Sequence, residues 1–384
     1  MAREVYLETG GLGPSSLGWT EKLWRFKWTV VLLLAAIAGI GFAMLYSAAG
    51  GAFEPWAIRQ MVRFAAGLAL LAATGVVDIR FWYRAAYPLY AVSLVLLLAV
   101  AVVGSDAMGA QRWLNLGFVQ LQPSELMKVS LVLVMARHFH AVGADEAARP
   151  MQLFVPLLLL LAPVALVMRQ PDLGTALMLV GAAATVFFLA GVRLWVFGAA
   201  IAAVAAAAPI AWKFMHGYQK KRILTFLDPS TDPLGSGYHI LQSKIALGSG
   251  GVLGKGFMEG TQGQLNFLPE KQTDFVFTMF AEEFGMLGGL CLIGLYVLLV
   301  AQGVGIGLKC RNHFGRLLAL GVTALVFIYV FINMAMVMGL VPVVGVPLPL
   351  VSYGGTAMMT LMFSYGLVMS AWVHRDVRMG RGAG

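Results

Sequence analysis

The chain has 384 residues, of which 60% are hydrophobic and 12% charged. Soluble domains carry roughly 25% charged residues to cover their surface, and a chain this apolar is not disordered either. The net charge of +9 would suit a nucleic-acid binder, but it leaves the apolar mass unexplained. What remains is an all-α polytopic membrane protein.

Helical runs long enough for a bilayer of about 30 Å are expected to begin near Trp28, Trp56, Tyr87, Leu126, Leu153, Leu173, Leu194, Phe275, Phe314 and Thr356. These make ten spans in one membrane domain, residues 26–374, between tails 1–25 and 375–384. Pro171 and the charges beside it separate the fifth span from the sixth. A large extracytoplasmic loop, 215–274, joins the seventh span to the eighth. The Ala-rich run 199–208 reads as close helix packing, and no internal repeat is evident. Residues 1–21 are polar, and the apolar run after them is too long for the core of a signal peptide, so it reads as the first span. Cys291 and Cys310 fall in or beside one apolar segment, as a buried small side chain and a loop thiol, not as a disulfide framework. Fifteen Lys and Arg lie in short loops or tails on the side of the termini, against five on the other side. That asymmetry puts both termini in the cytoplasm.

The polar residues of interest collect on the outer side. Arg59 and Arg63 stand near the end of the second span, and Arg112 lies in the loop before the fourth. Glu125 and Lys128 are three apart and share a helix face; they read as an ion pair at the bilayer edge, as the polar wall of a cavity, or as both. Asp172 suits the N-cap of the sixth span and also puts a carboxylate on the outer side. In the long loop, the glycines of 248–256 could bring backbone amides to phosphate oxygens, although the nucleotide P-loop order is absent. His239 reads as an ordinary hydrogen-bonded loop histidine. Asp274 sits where the loop becomes an apolar helix, placed either to cap that helix or to act as a general base. Glu282 and Glu283 follow on the same helix, so they must face protein or water. The prolines and glycines of 341–356, which run into Ser352, cannot continue a helix. At membrane depth such a segment must be buried in protein or line a cavity.

Four stretches, in order, carry a resemblance: Gln122–Lys128 (QPSELMK), Gln170–Thr175 (QPDLGT), Leu268–Phe275 (LPEKQTDF) and Asn333 through Ala357. The chain resembles the SEDS family (shape, elongation, division and sporulation) over nearly its whole length. Gly260–Gln264 (GTQGQ) ahead of Phe267 is more similar to its RodA, or elongation, branch than to its FtsW, or division, branch. Lys271-Gln272 departs from the Arg-His or Ala-His common in the family. The resemblance implies the SEDS fold and a peptidoglycan glycosyltransferase. Such an enzyme polymerises lipid II on the outer face of the bacterial cytoplasmic (inner) membrane during elongation. It implies Asp274 as the catalytic residue and Glu125 with Lys128 as a cavity pair. The implied partners are a class B penicillin-binding protein and the elongation machinery.

Lipid II carries a pyrophosphate, and Arg59, Arg112, Lys128 and Lys244 are expected to meet it, Arg being well shaped for phosphate. Asp172 and Ser352 complete the expected substrate-binding set. In this reading Asp274 accepts the proton of the acceptor hydroxyl, and undecaprenyl pyrophosphate leaves, stabilised by basic residues or by a divalent cation (Mg or Mn). The main alternative is a lipid II flippase, since many spans and a broken helix are transporter-like. A non-catalytic scaffold for the penicillin-binding protein is a third.

Overall fold

The computed structural model describes residues 18–380 apart from 108–109, 116–119, 144–145, 147–148, 216, 229–231, 233–234, 266 and 268–269. Residues 1–17, Leu268, Pro269 and 381–384, which figured in the sequence analysis, lie outside the described residues. A short α1 (Trp19–Trp24) leads into α2 (Trp28–Ala48), α3 (Ala57–Val76) and α4 (Ile79–Val103). Then come α5 (Pro123–Val142), α6 (Phe154–Arg169), α7 (Leu173–Ala190) and α8 (Leu194–Phe214). After the shorter α9 (Gly217–Leu227), α10 (Ser236–Ser249) and α11 (Thr261–Gln264), the chain ends in α12 (Val276–Lys309), α13 (His313–Val337) and α14 (Gly355–Val373). Eight helices among the described residues are long and apolar enough to cross a membrane, and α13 is the most buried of them. It packs against α5, α7, α12 and α14.

The helix starts agree with the apolar pattern except at α4, which begins at Ile79 instead of near Tyr87. Asp78 caps it by accepting from the Arg80 amide at 2.8 Å, so the first turns, which carry Arg80 and Arg84, are already helical. The segment between α4 and α5 departs from the all-helical expectation. Strands β1 (Ser105–Ala107), β2 (Ala110–Asn115) and β3 (Gln120–Leu121) form a small antiparallel sheet in that order, with Asp106 opposite Gln111 and Leu114 opposite Leu121. Thr356 at the start of α14 donates to the Gln120 carbonyl at 3.0 Å, tying the sheet to the bundle.

Two readings of composition are corrected. The Ala-rich run does not pack closely: α8 is exposed or half-exposed from Leu194 to Pro209. Small side chains permit close approach, but no neighbouring helix takes it up here. They are used instead between α3 and α14. A Cβ at Gly67 would stand 2.7 Å from Met362 Cγ, and one at Gly366 would collide with Thr74. The segment 215–274 is not an open loop either, since it holds α9, α10 and α11. Buried Ser243 of α10 donates to the Val337 carbonyl at 2.8 Å and pairs with Thr278 at 2.9 Å, fixing α10 to α13 and α12. His239 therefore lies on a helix, edge-on to Phe275 at 6.4 Å. Burial holds its imidazole below the ordinary value, partly offset by Asp232.

Helix α12 is broken at Gly285, whose φ of 66° and ψ of −164° are not helical. A break frees carbonyls before it and amides after it, and lipid cannot satisfy either. The glycine-rich segment 250–256 does so. The amides of Lys255 and Gly256 donate to the Glu282 and Glu283 carbonyls at 3.0 Å each, and Met286 and Leu287 donate back to Gly251 and Val252 at 3.0 and 3.1 Å. Such close approach leaves no room for side chains: a Cβ at Gly254 would lie 2.1 Å from the Glu283 carbonyl oxygen. The glycines expected to cradle phosphate thus hold a broken helix together, with those amides spent on it. Glu282 and Glu283, at 0% and 1% exposure, face protein as expected. Lys255 Nζ lies 2.7 Å from Glu282, the Gln262 amide donates to Glu282 at 3.1 Å, and Ser47 donates to Glu283.

Candidate active site

Beneath the irregular segment between α13 and α14 lies a narrow cavity, lined by Gln60, Glu125, Tyr329, Ser352, Ser364 and the backbone around Pro347–Leu350, together with apolar side chains such as Val129, Val326 and Leu361. The prolines and glycines thus line a cavity, as their position in the membrane required. Their backbone groups find partners on neighbouring helices. Asn333 Nδ2 donates to the Val346 carbonyl at 2.7 Å, Tyr296 to Pro349 at 2.5 Å and Gln60 Nε2 to Ser352 at 3.0 Å.

Glu125, on the first turn of α5, lines the cavity, and Lys128 pairs with it one turn further on. Lys128 Nζ lies 2.7 Å from Glu125 Oε1, and the two residues are 1% and 5% exposed. Tyr329, four residues before Asn333 on α13, donates to Glu125 Oε2 at 2.5 Å, and Lys128 Nζ sits 4.4 Å above its ring. Each partner therefore has an opposite charge and a further contact to offset its burial.

Asp274 does not cap α12. The N-cap is Phe275, with no side-chain cap bond, and Asp274 lies in the turn before it. The backbone on both sides is fixed. Asn333 Nδ2 donates to the Asp274 carbonyl at 3.0 Å, and Ser352 Oγ donates to the Thr273 carbonyl at 2.5 Å while accepting from the Leu348 amide at 2.7 Å. The Tyr353 amide donates to the Gln272 carbonyl at 2.8 Å. The carboxylate lies against Gly345, where a Cβ would stand 3.3 Å from Oδ2. The two stretches most distinctive in the sequence are thus stitched together through backbone bonds, and Asp274 is half-buried at their seam.

The expected basic residues are not gathered at one point. Arg59 is exposed on α3; the same helix sends Gln60 to the cavity and Arg63 onto the Tyr353 ring at 4.8 Å. Lys244 is exposed, its aminoalkyl chain lying over Gly339. Arg112 donates to the Pro171 carbonyl at 2.9 Å and stands 3.7 Å from Asp172. Asp172 caps α7 as expected, accepting from the Thr175 amide at 3.1 Å and its hydroxyl at 2.9 Å. Ser352 has its hydroxyl committed to the protein in both directions. Tyr329 and Gln60 were missed in the sequence. The one signal for each was a polar side chain inside an apolar helix, and Tyr329 also stood one turn from Asn333. Among the described residues no three His, Cys, Asp or Glu side chains converge as a metal site.

A bundle of membrane-length helices, with a buried cavity roofed by an irregular Pro/Gly segment and a pinned aspartate nearby, defines a polytopic membrane protein. Residues 27–377 match the model of the cell cycle protein family that comprises FtsW, RodA and SpoVE, and the chain belongs to that family. It is 44% identical over 353 residues to the peptidoglycan glycosyltransferase MrdB of Escherichia coli K12, covering 91% of this chain and 94% of that one. It is 35% identical over 365 residues to a probable peptidoglycan glycosyltransferase FtsW of Trichlorobacter lovleyi, with 91% and 93% covered. The fold is similar to the crystal structure of Thermus thermophilus RodA (TM-score 0.69, 32% identity, 91% and 97% covered). It is also similar to a chain of a peptidoglycan synthase complex that coordinates polymerization and crosslinking (TM-score 0.78, 35% identity, 91% and 98% covered).

Proposed function

We infer that this protein is a peptidoglycan glycosyltransferase, and we propose that it polymerises lipid II at the outer face of the inner membrane with Asp274 as general base. The observation that carries the assignment of Asp274 is its doubly pinned backbone. A general base must be held within hydrogen-bond reach of the proton it takes, and Asn333 and Ser352 fix the peptide groups on either side. A carboxylate with a pKa near 3.9 cannot deprotonate a sugar hydroxyl outright. In the proposed step Asp274 takes the proton as the hydroxyl oxygen bonds to the donor's anomeric carbon, and the bond from that carbon to undecaprenyl pyrophosphate breaks. In this reading the buried Glu125–Lys128–Tyr329 group shapes the cavity, and Arg112 and Arg63 are the cations placed to meet the pyrophosphate. Ser352 acts by positioning Asp274, not by touching substrate. A divalent cation there would take one or two carboxylates from the protein and its other ligands from phosphate and water. Titration with chelator tests for it. The apolar faces of α8 suit a polyprenyl tail. The similarity to a chain of a synthase complex supports a class B penicillin-binding protein as partner, and the RodA-like fold supports a place in the elongation machinery.

The test is polymerisation of labelled lipid II by purified protein, with and without such a partner. Asp274→Ala is expected to abolish polymer, a loss of at least the roughly 10²–10⁴-fold that a positioned base contributes, while its thermal unfolding stays near that of the wild type. Near-normal polymer from the variant overturns the role of Asp274. Movement of lipid II across vesicles with no polymer would favour a transporter.

A further inference from the structure

At the end of the bundle far from Asp274, an open cleft lies between the C-terminal end of α5, the N-terminus of α13 and the segment after α14. His140, Asn312, His313, Arg311 and Arg378 line it, and Arg311 Nε also stands 3.7 Å from the exposed Asp376 carboxylate. The first amides of the 25-residue α13 point towards this end, and a helix N-terminus favours an anion. A second, independent feature points the same way. Asn312 is 4% exposed, and its Oδ1 is used to cap α13 by accepting from the Gly315 amide at 2.6 Å. Its buried Nδ2 has no hydrogen-bond partner among the described residues. A buried donor left unmatched costs free energy. An excess of arginine at one membrane face follows from topology alone, but topology does not account for a buried amide, a helix N-terminus and two guanidinium groups around one hollow.

We propose that this cleft binds a phosphate-bearing anion, either an anionic phospholipid headgroup or free phosphate, at a site separate from the synthetic one. Asn312 Nδ2 and the opening amides of α13 would meet phosphate oxygens at the floor, and Arg311 and Arg378 would close over them at the rim. Arginine is shaped for that role.

The full chain in detergent is tested by thermal unfolding and native mass spectrometry at matched ionic strength. The probes are phosphatidylglycerol, phosphatidylcholine with the same acyl chains, and inorganic phosphate. Phosphatidylglycerol or inorganic phosphate is expected to raise the midpoint, and phosphatidylcholine is not. A shift with phosphatidylglycerol alone assigns the site to a lipid headgroup, and one with inorganic phosphate assigns it to a soluble ligand. Arg311→Gln with Arg378→Gln is expected to weaken binding about tenfold or more, since each removes a charged donor. Asn312→Asp keeps the capping oxygen and puts a carboxylate in the cleft. It should abolish the response while leaving the unliganded midpoint equal or higher. The proposal is overturned if neither phosphate probe shifts the midpoint, if phosphatidylcholine acts as strongly as phosphatidylglycerol, or if the variants respond like the wild type.

Discussion

At the scale of single residues, the site depends on side chains whose value lies in what they hold. Glu125 and Lys128 are both buried, so removing one strands the other. Glu125→Gln leaves an ammonium without its counter-charge and is expected to destabilise the fold by about 3–5 kcal/mol, read as a lowered unfolding midpoint. Glu125→Gln combined with Lys128→Met removes both charges and should recover most of that stability. Recovery of polymerisation in the double variant would make the pair structural only; the expected result is a stable, inactive protein. Gly345 tests the neighbouring contact. Its φ is +68°, and a methyl there would press on the Asp274 carboxylate. Gly345→Ala is expected to cost about 1–2 kcal/mol in backbone strain and to reduce polymerisation by more than that stability loss explains, measured as turnover on protein shown to be folded.

At the scale of elements, the glycine-rich strap and the break in α12 are one unit. Gly254→Ala would drive a methyl into the Glu283 carbonyl and should sharply reduce the yield of monodisperse protein. Gly248, six residues earlier, has nothing within 4 Å of its Cβ position and lies in α10. Gly248→Ala should leave the midpoint unchanged or slightly higher, because alanine is favoured over glycine in a helix by about 1 kcal/mol. Two alanines in one glycine-rich segment with opposite outcomes would separate docking from flexibility. The same contrast marks where sequence reading stops. Except at α4, the apolar runs place the long helices to within a few residues, because hydropathy and length are local. The break at Gly285 has no proline to mark it, so the amides of the strap could be assigned only to an imagined ligand. Asp274, Glu125 and Lys128 stood out as charges at membrane depth. Their supports, Asn333, Ser352 and Tyr329, act through contacts across helices whose rotation no single stretch encodes. The rotation of α3 is equally unencoded: Arg59 is exposed, and its neighbour Gln60 is the one turned inward.

At the scale of the whole molecule, the excess positive charge bears on orientation, since Lys and Arg in short loops favour the cytoplasmic side. We propose that both termini are cytoplasmic. A cysteine replacing exposed Leu253 should then react with an impermeant maleimide in intact cells, and one replacing Asp376 only after permeabilisation. The native thiols should not interfere. Cys310 is buried, which pushes its thiol up to about 12, so its reactive thiolate is on the order of one part in 10⁵ at neutral pH. Cys291 lies within α12, on a face turned to the bilayer. Labelling of unmodified protein before denaturation would contradict both placements.

The strap has one more consequence, in the order of events during synthesis. Residues 250–256 precede α12 in the chain, so the groups that satisfy the break have left the ribosome before the helix is released into lipid. An interrupted helix emerging first would expose unmatched carbonyls and amides to hydrocarbon until its partner arrived. Here the partner is already waiting, and a circular permutant that reverses the order should insert poorly even though every contact of the finished protein remains available to it.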